Sequence, residues 1–145
     1  MKRERSLEAR EFRFSNRLAE LDALAAGLRT YCLAAGMTED EAEEVRLVVE
    51  EAVTNTIRHG YRDTNPHEII LRASVDGGRL TLEIEDDGAA FDPLARTLPD
   101  LTLPVEEKPI GGLGILLVRT LMDSVEYRRV GDRNLLRTAR WIDRA

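Results

Sequence analysis

Three short segments of this 145-residue chain carry residue types able to handle a ligand. In the first, Glu51, Asn55 and His59 recur at i, i+4 and i+8 within Glu51-Ala52-Val53-Thr54-Asn55-Thr56-Ile57-Arg58-His59-Gly60-Tyr61, which on a helix places them along one ridge. An Asn side-chain oxygen is a neutral, hard ligand suited to Mg²⁺ that phosphates also hold, and a neighbouring carboxylate can orient or deprotonate an attacking hydroxyl. The same spacing is also that of a solvated helix edge. In the second segment, Leu82 to Pro93, an alternating stretch runs into Asp86-Asp87-Gly88. A carboxylate at such a strand end can accept a hydrogen bond from an exocyclic amine, and the glycine lets backbone approach a planar ring. Acid-glycine turns are equally ordinary strand terminators. The third segment, Ile110-Gly111-Gly112-Leu113-Gly114-Ile115, leads glycines into an apolar run. Free backbone N–H groups at a helix start make an anion cradle, or simply a tight turn. It lacks the Lys and Ser/Thr of a P-loop, and it follows no first strand as a dinucleotide fingerprint does.

The elements that must position these residues are readable from periodicity. Glu11-Phe12-Arg13-Phe14 alternates as a half-buried strand. Asn16 offers a helix N-cap, and Leu18, Leu21, Leu24, Ala25, Leu28, Tyr31 and Cys32 trace an amphipathic helix ending near Gly36. Thr38-Glu39-Asp40-Glu41 reads as a capping box, opening a second helix to about His59 with Gly60 as its stop. Its apolar stripe is Val45, Val48, Val49, Ala52, Val53, Thr56 and Ile57, and Glu51 and Asn55 lie at the edge of that stripe. Ile69 to Val75 and Leu80 to Ile84 alternate around Asp76-Gly77-Gly78, which predicts an antiparallel hairpin. From Asp87 to Gly112 the pattern dissolves into a long loop, of a length that usually has a function. Leu113 to Met122 reads as a third helix, Val125 to Val130 as a strand, Gly131-Asp132-Arg133-Asn134 as a turn, and Leu135 to Ile142 as the last strand. The order β-α-α-β-β-loop-α-β-β implies an α+β two-layer sandwich, a mixed, mostly antiparallel sheet covered on one face by about three helices.

Composition narrows the class. At 145 residues and 43% hydrophobic, the chain has the size of one domain, read here as residues 10–142 after a charged extension at 1–9. A net charge of −6 with dispersed arginines argues against a nucleic-acid surface. No apolar run reaches the length of a membrane span, and the basic start lacks the apolar stretch of a secretory signal. Cys32 is the single cysteine, so no internal disulfide forms; the expectation is a buried thiol in a cytoplasmic protein.

In this order and spacing, the three segments resemble the nucleotide-binding boxes of the GHKL ATPase superfamily. Within it, Glu51 to Asn55 with His59-Gly60-Tyr61, then Phe91-Asp92-Pro93, then Gly112-Leu113-Gly114 with Leu121-Met122-Asp123, is similar to the anti-sigma-factor serine/threonine kinases. The likeness extends over residues 10–142. It implies ATP and Mg²⁺ as cofactors, Glu51 as general base for an acceptor serine, and Asn55 as Mg²⁺ ligand. Asp86 would read the adenine amine and Gly88 would admit the ring, while Gly111, Gly112, Leu113 and Gly114 would surround the phosphates. Arg58 and His59 would either reach the phosphates or cap the helix end, and Ala89 to Pro109 would form an ATP lid. Also implied are a STAS-domain anti-sigma-factor antagonist and a sigma factor as partners, a homodimer, and no direct contact with nucleic acid or membrane. One position departs from the pattern: where some relatives carry a basic residue before the glycines, this chain has Ile110 and Gly111, with Lys108 the nearest cation. The alternative is an ATP-binding docking module that sequesters a regulatory partner without phosphotransfer.

Overall fold

The computed structural model describes residues 6–95 and 113–142. Strand β1 (Leu7–Ser15) is followed by α1 (Leu21–Ala34), α2 (Glu39–Gly60), β2 (Glu68–Asp76), β3 (Arg79–Asp86), α3 (Leu113–Leu121), β4 (Ser124–Val130) and β5 (Arg133–Trp141). Short 3-10 turns lie at Leu18–Glu20 and Pro93–Ala95.

Local chemistry accounts for the boundaries. Thr38 accepts from the Glu41 N–H at 3.1 Å and the Glu41 carboxylate accepts from the Thr38 N–H at 3.0 Å, closing the capping box at the start of α2. Gly77 and Gly78 both adopt positive φ, 58° and 78°, the conformation a two-residue hairpin turn needs to match strand twist. Two expectations are corrected here. Asn16 does not cap α1, whose preceding turn has no side-chain cap. Instead its Oδ1 accepts from the His67 N–H at 2.9 Å, and its own N–H donates to the His67 carbonyl at 2.9 Å, because β1 and β2 meet at this point and their end groups need partners. Likewise Arg133 and Asn134 belong to β5 rather than to the turn: a tight turn suffices after β4, and Val130 pairs directly with Arg133.

The sheet runs β1-β2-β3-β5-β4. Every described pairing is antiparallel, so no parallel pair occurs among the described residues. Its helix-facing side carries Ile69, Leu71, Ala73, Leu80, Leu82 and Ile84, which pack with Val45, Val48 and Val53 of α2, Leu28 of α1 and Val118 of α3. Burying each Val, Leu or Ile side chain of this set contributes about 1.5–3 kcal/mol. The opposite face is charged: Arg72 bridges Glu11 at 3.1 Å and Glu85 at 2.9 Å, which explains why helices cover one side only. Arg140 is a charged residue buried on the core face. It is 3% exposed and donates to the Leu121 carbonyl and to Glu44, both at 3.4 Å, tying the end of α3 to the start of α2. Cys32 is wholly buried, and burial pushes its thiol up to about 11, so it is a core residue.

Candidate functional site

The apolar stripe of α2 faces the sheet, so the stripe's edge must overlook the rim where β3 ends. There Ala52, Asn55, Thr56 and Gly60 of α2, Asp86 of β3, Phe91 and Pro93 of the following segment, Ile115 of α3, Tyr127 of β4, and Asn134 and Leu136 of β5 line a cleft. The three chemistry-bearing segments therefore converge. Glu51 approaches from beside the cleft: a Cβ built on Gly114 would lie 2.5 Å from the Glu51 Oε2. Its carboxylate thus rests on the first turn of α3, in space that only a glycine leaves open without displacing it.

Asp86 is the buried acid of the site, 4% exposed. Its Oδ1 accepts from the Gly88 N–H at 2.8 Å and from Asn134 Nδ2 at 2.9 Å. Burial pushes this carboxyl above its usual range, opposed by those two donors. Gly88 has a steric reason to be glycine, since its Cβ would sit 2.7 Å from the Gly60 carbonyl oxygen. The turn after β3 is pressed against the end of α2, where the Ala89 N–H donates to that same carbonyl at 2.8 Å. His59 and Arg58 are exposed on the last turn of α2 and do not line the cleft; the His59 ring stacks on Phe91 with centroids 4.7 Å apart. On the far side of the turn, His67 bonds Asp63 at 2.8 Å and Asp87 at 3.4 Å and stacks on Tyr61 at 4.3 Å. The Asp63 and Asp87 carboxylates raise the His67 pKa, while burial and the carboxylates of Asp86 and Asp87 raise that of the Tyr61 phenol. Gly111 and Gly112, with Lys108 and Ile110, fall outside the described residues, as does most of the expected lid.

The model of the histidine kinase-like ATPase domain matches residues 14–140, nearly the whole described fold. The chain belongs to the histidine kinase-like ATPase family. Among its relatives, the serine-protein kinase RsbW of Bacillus velezensis is 37% identical over 99 residues, covering 64% of this chain and 61% of that protein. The protein of the same name from Listeria monocytogenes is 31% identical over 96 residues, covering 63% and 61%. The matched region spans only 61% of the length of these curated relatives. Among solved structures, the RsbU and RsbW domains of a Mycobacterium tuberculosis protein superpose with a TM-score of 0.68 at 13% identity, over 94% of this chain and 32% of that one. A blue-light activated histidine kinase of Erythrobacter litoralis gives 0.55 at 23% identity, over 73% and 32%. These two share the fold.

The donor set suits the nucleotide that this family's domain is named for. A buried carboxylate at the cleft wall can accept from an amine, and an amide on the cleft side of α2 can offer a neutral oxygen to a hard cation. The glycine-led helix offers backbone N–H groups beside a carboxylate. The sequence reading missed Asn134 and Tyr127. Asn134 pairs directly across from Asp86 in the β3–β5 register, a placement visible only once Gly131-Asp132 is taken as the entire turn. Its Oδ1 accepts from the Tyr127 hydroxyl and, at 3.1 Å, from Arg129. No described helix is long and apolar enough to cross a membrane.

Proposed function

We propose that this ATPase-family domain is a Mg·ATP-dependent protein serine kinase acting in the cytoplasm as an anti-sigma factor. Its phosphoacceptor is a serine on a STAS-domain antagonist, and the kinase works as a homodimer in a partner switch between that antagonist and a sigma factor. The observation that carries the reading is the Glu51 carboxylate resting on Gly114 at the start of the glycine-led helix, beside a cleft lined by Asn55 and Asp86. The name serine-protein kinase borne by relatives such as those of Bacillus velezensis and Bacillus subtilis supports the same reaction class.

In this reading Asp86 holds the purine amine through its carboxylate, and Gly88 keeps the turn close to the end of α2. Asn55 contributes a neutral oxygen to Mg²⁺, which supplies charge neutralisation at the phosphates. Gly111, Gly112, Leu113 and Gly114 present backbone N–H groups to phosphate oxygens. Glu51 accepts the proton of the serine hydroxyl, a role open to a carboxylate that bonds no cation among the described residues. Arg58 and His59 either reach the phosphates or cap the end of α2.

Transfer of labelled phosphate from ATP to a STAS-domain protein tests this, with Glu51→Ala beside the unmodified protein. The reading expects label on the partner's serine and its loss in the variant, a fall of about 10²-fold or more for removing a general base. Label that survives the substitution unchanged eliminates Glu51 as base. ATP binding with no transfer by the unmodified protein would leave the docking-module reading.

A further inference from the structure

The amide of Asn134 is fully committed, and the types of its neighbours fix which end is which. Arg129 can only donate, so the atom it reaches at 3.1 Å is the amide oxygen. The Ala89 and Gly88 carbonyls can only accept, so the atom facing them at 2.9 and 3.4 Å is Nδ2. The same Nδ2 donates to Asp86 Oδ1 at 2.9 Å, where the Gly88 N–H also arrives at 2.8 Å. Both donors thus converge on one carboxylate oxygen. Among the described residues no donor reaches Oδ2, and Asp86 lines the cleft. Asn134 itself is only 6% exposed, and the Tyr127 hydroxyl donates to its oxygen from the edge strand β4.

We propose that Asn134 is the specificity-determining positioning residue of this cleft, which selects a purine bearing a 6-amino group over one bearing a 6-oxo group. It holds Asp86 so that Oδ1 is saturated by donors and Oδ2 is left as an acceptor toward the ligand. A 6-amino group donates to that oxygen. A 6-oxo group sets oxygen against oxygen at Oδ2, the kind of mismatch that sites built on hydrogen bonds reject most strongly. Asn134 does not need to touch the ligand: Tyr127, Arg129 and the Gly88 and Ala89 carbonyls fix it, and it fixes Asp86. The inference rests on the nucleotide-binding reading and adds the residue that sets which base is accepted.

The test is the ratio of affinities for Mg·ATP and Mg·ITP, measured by calorimetric titration on the full chain. Asn134→Asp keeps the shape of the side chain but places two carboxylates in contact, where like charges force them to share a proton; a protonated acid can donate to a 6-oxo group. The expected result is a fall of about tenfold or more in the ATP:ITP ratio, with tighter ITP binding contributing to it. Tyr127→Phe removes one hydroxyl donor from Asn134 without touching Asp86, and is expected to lower the ratio by about threefold. It carries the test alone if the first variant does not fold. Folded variants that keep the ratio of the unmodified protein overturn the role of Asn134, whatever happens to affinity as a whole. An unmodified protein that binds neither nucleotide would instead sink the nucleotide reading itself.

Discussion

Asp86 is held in a state that costs stability. Its ionised form is needed to accept from a ligand, yet burial raises its pKa in the folded chain above the ordinary value of 3.8. The folded state therefore binds the proton more tightly than the unfolded one, and stability falls as pH rises through that raised value. Asp86→Asn keeps an oxygen for the Gly88 and Asn134 donors but carries no charge. The variant is expected to be more stable than the unmodified protein at neutral pH, with the gap closing as pH falls through the raised pKa; urea unfolding across pH reads this out. A variant less stable at neutral pH would contradict the assignment. Gly88 makes a separate prediction at the same scale. A Cβ there meets backbone, the Gly60 carbonyl at 2.7 Å, which cannot rotate away. Gly88→Ala should therefore cost about 1–3 kcal/mol through overpacking, whereas Gly114→Ala, whose nearest neighbour is the far end of the Glu51 side chain, should cost less stability and displace that carboxylate. Denaturant melts of the two variants decide it.

The elements were legible wherever one local rule dominates. The Thr38 box, the Gly77-Gly78 hairpin and the stripe of α2 each follow from residues a few positions apart, and each is present. Thr38→Ala should lower stability by about 1 kcal/mol, measured as a shift in the unfolding midpoint. Leu82→Ala, beneath α2 on the central strand, should lower it by about 2–5 kcal/mol. The failures involve partners far away in sequence. Asn16 looks like a cap until β2 arrives to claim it through His67, 51 residues on. Asn134 looks like a turn residue until β5 pairs with β3 and sets it opposite Asp86, 48 residues earlier. For the same reason the proposed ligand residues Glu51, Asn55 and Asp86 could be named from short motifs taken in order, while the groups that hold Asp86 in place could not. The packing of Gly88 on Gly60 was also hidden, since it depends on how the end of α2 meets the turn after β3.

Across the molecule, the rim of the cleft is assembled from segments that meet only in the folded chain, and His67 is where several join. It bonds Asn16 of the β1 end, Asp63 of the α2–β2 connection and Asp87 of the turn after β3. The bond to Asp63, with Asp87 assisting, raises the His67 pKa above its ordinary 6.5. The charged imidazole therefore adds stability that is complete below 6.5 and is lost as pH rises through the raised value. The Asp63 carboxyl is lowered, chiefly by the bond to His67, so its contribution is lost as pH falls through the lowered value. His67→Gln should remove the alkaline limb of this profile in unfolding experiments. Ligand occupancy of the cleft should in turn stabilise the whole fold, by about 2.7 kcal/mol at a nucleotide concentration a hundredfold above Kd. The most direct test of the account is a calorimetric titration of the folded protein with Mg·ATP, repeated on Asp86→Asn. Saturable binding by the unmodified protein, weakened by about tenfold or more in a variant that remains folded, is the predicted result. A flat titration of the folded unmodified protein, or equal affinity in the variant, would contradict the claim that the α2 ridge, the Asp86 turn and the start of α3 enclose a nucleotide.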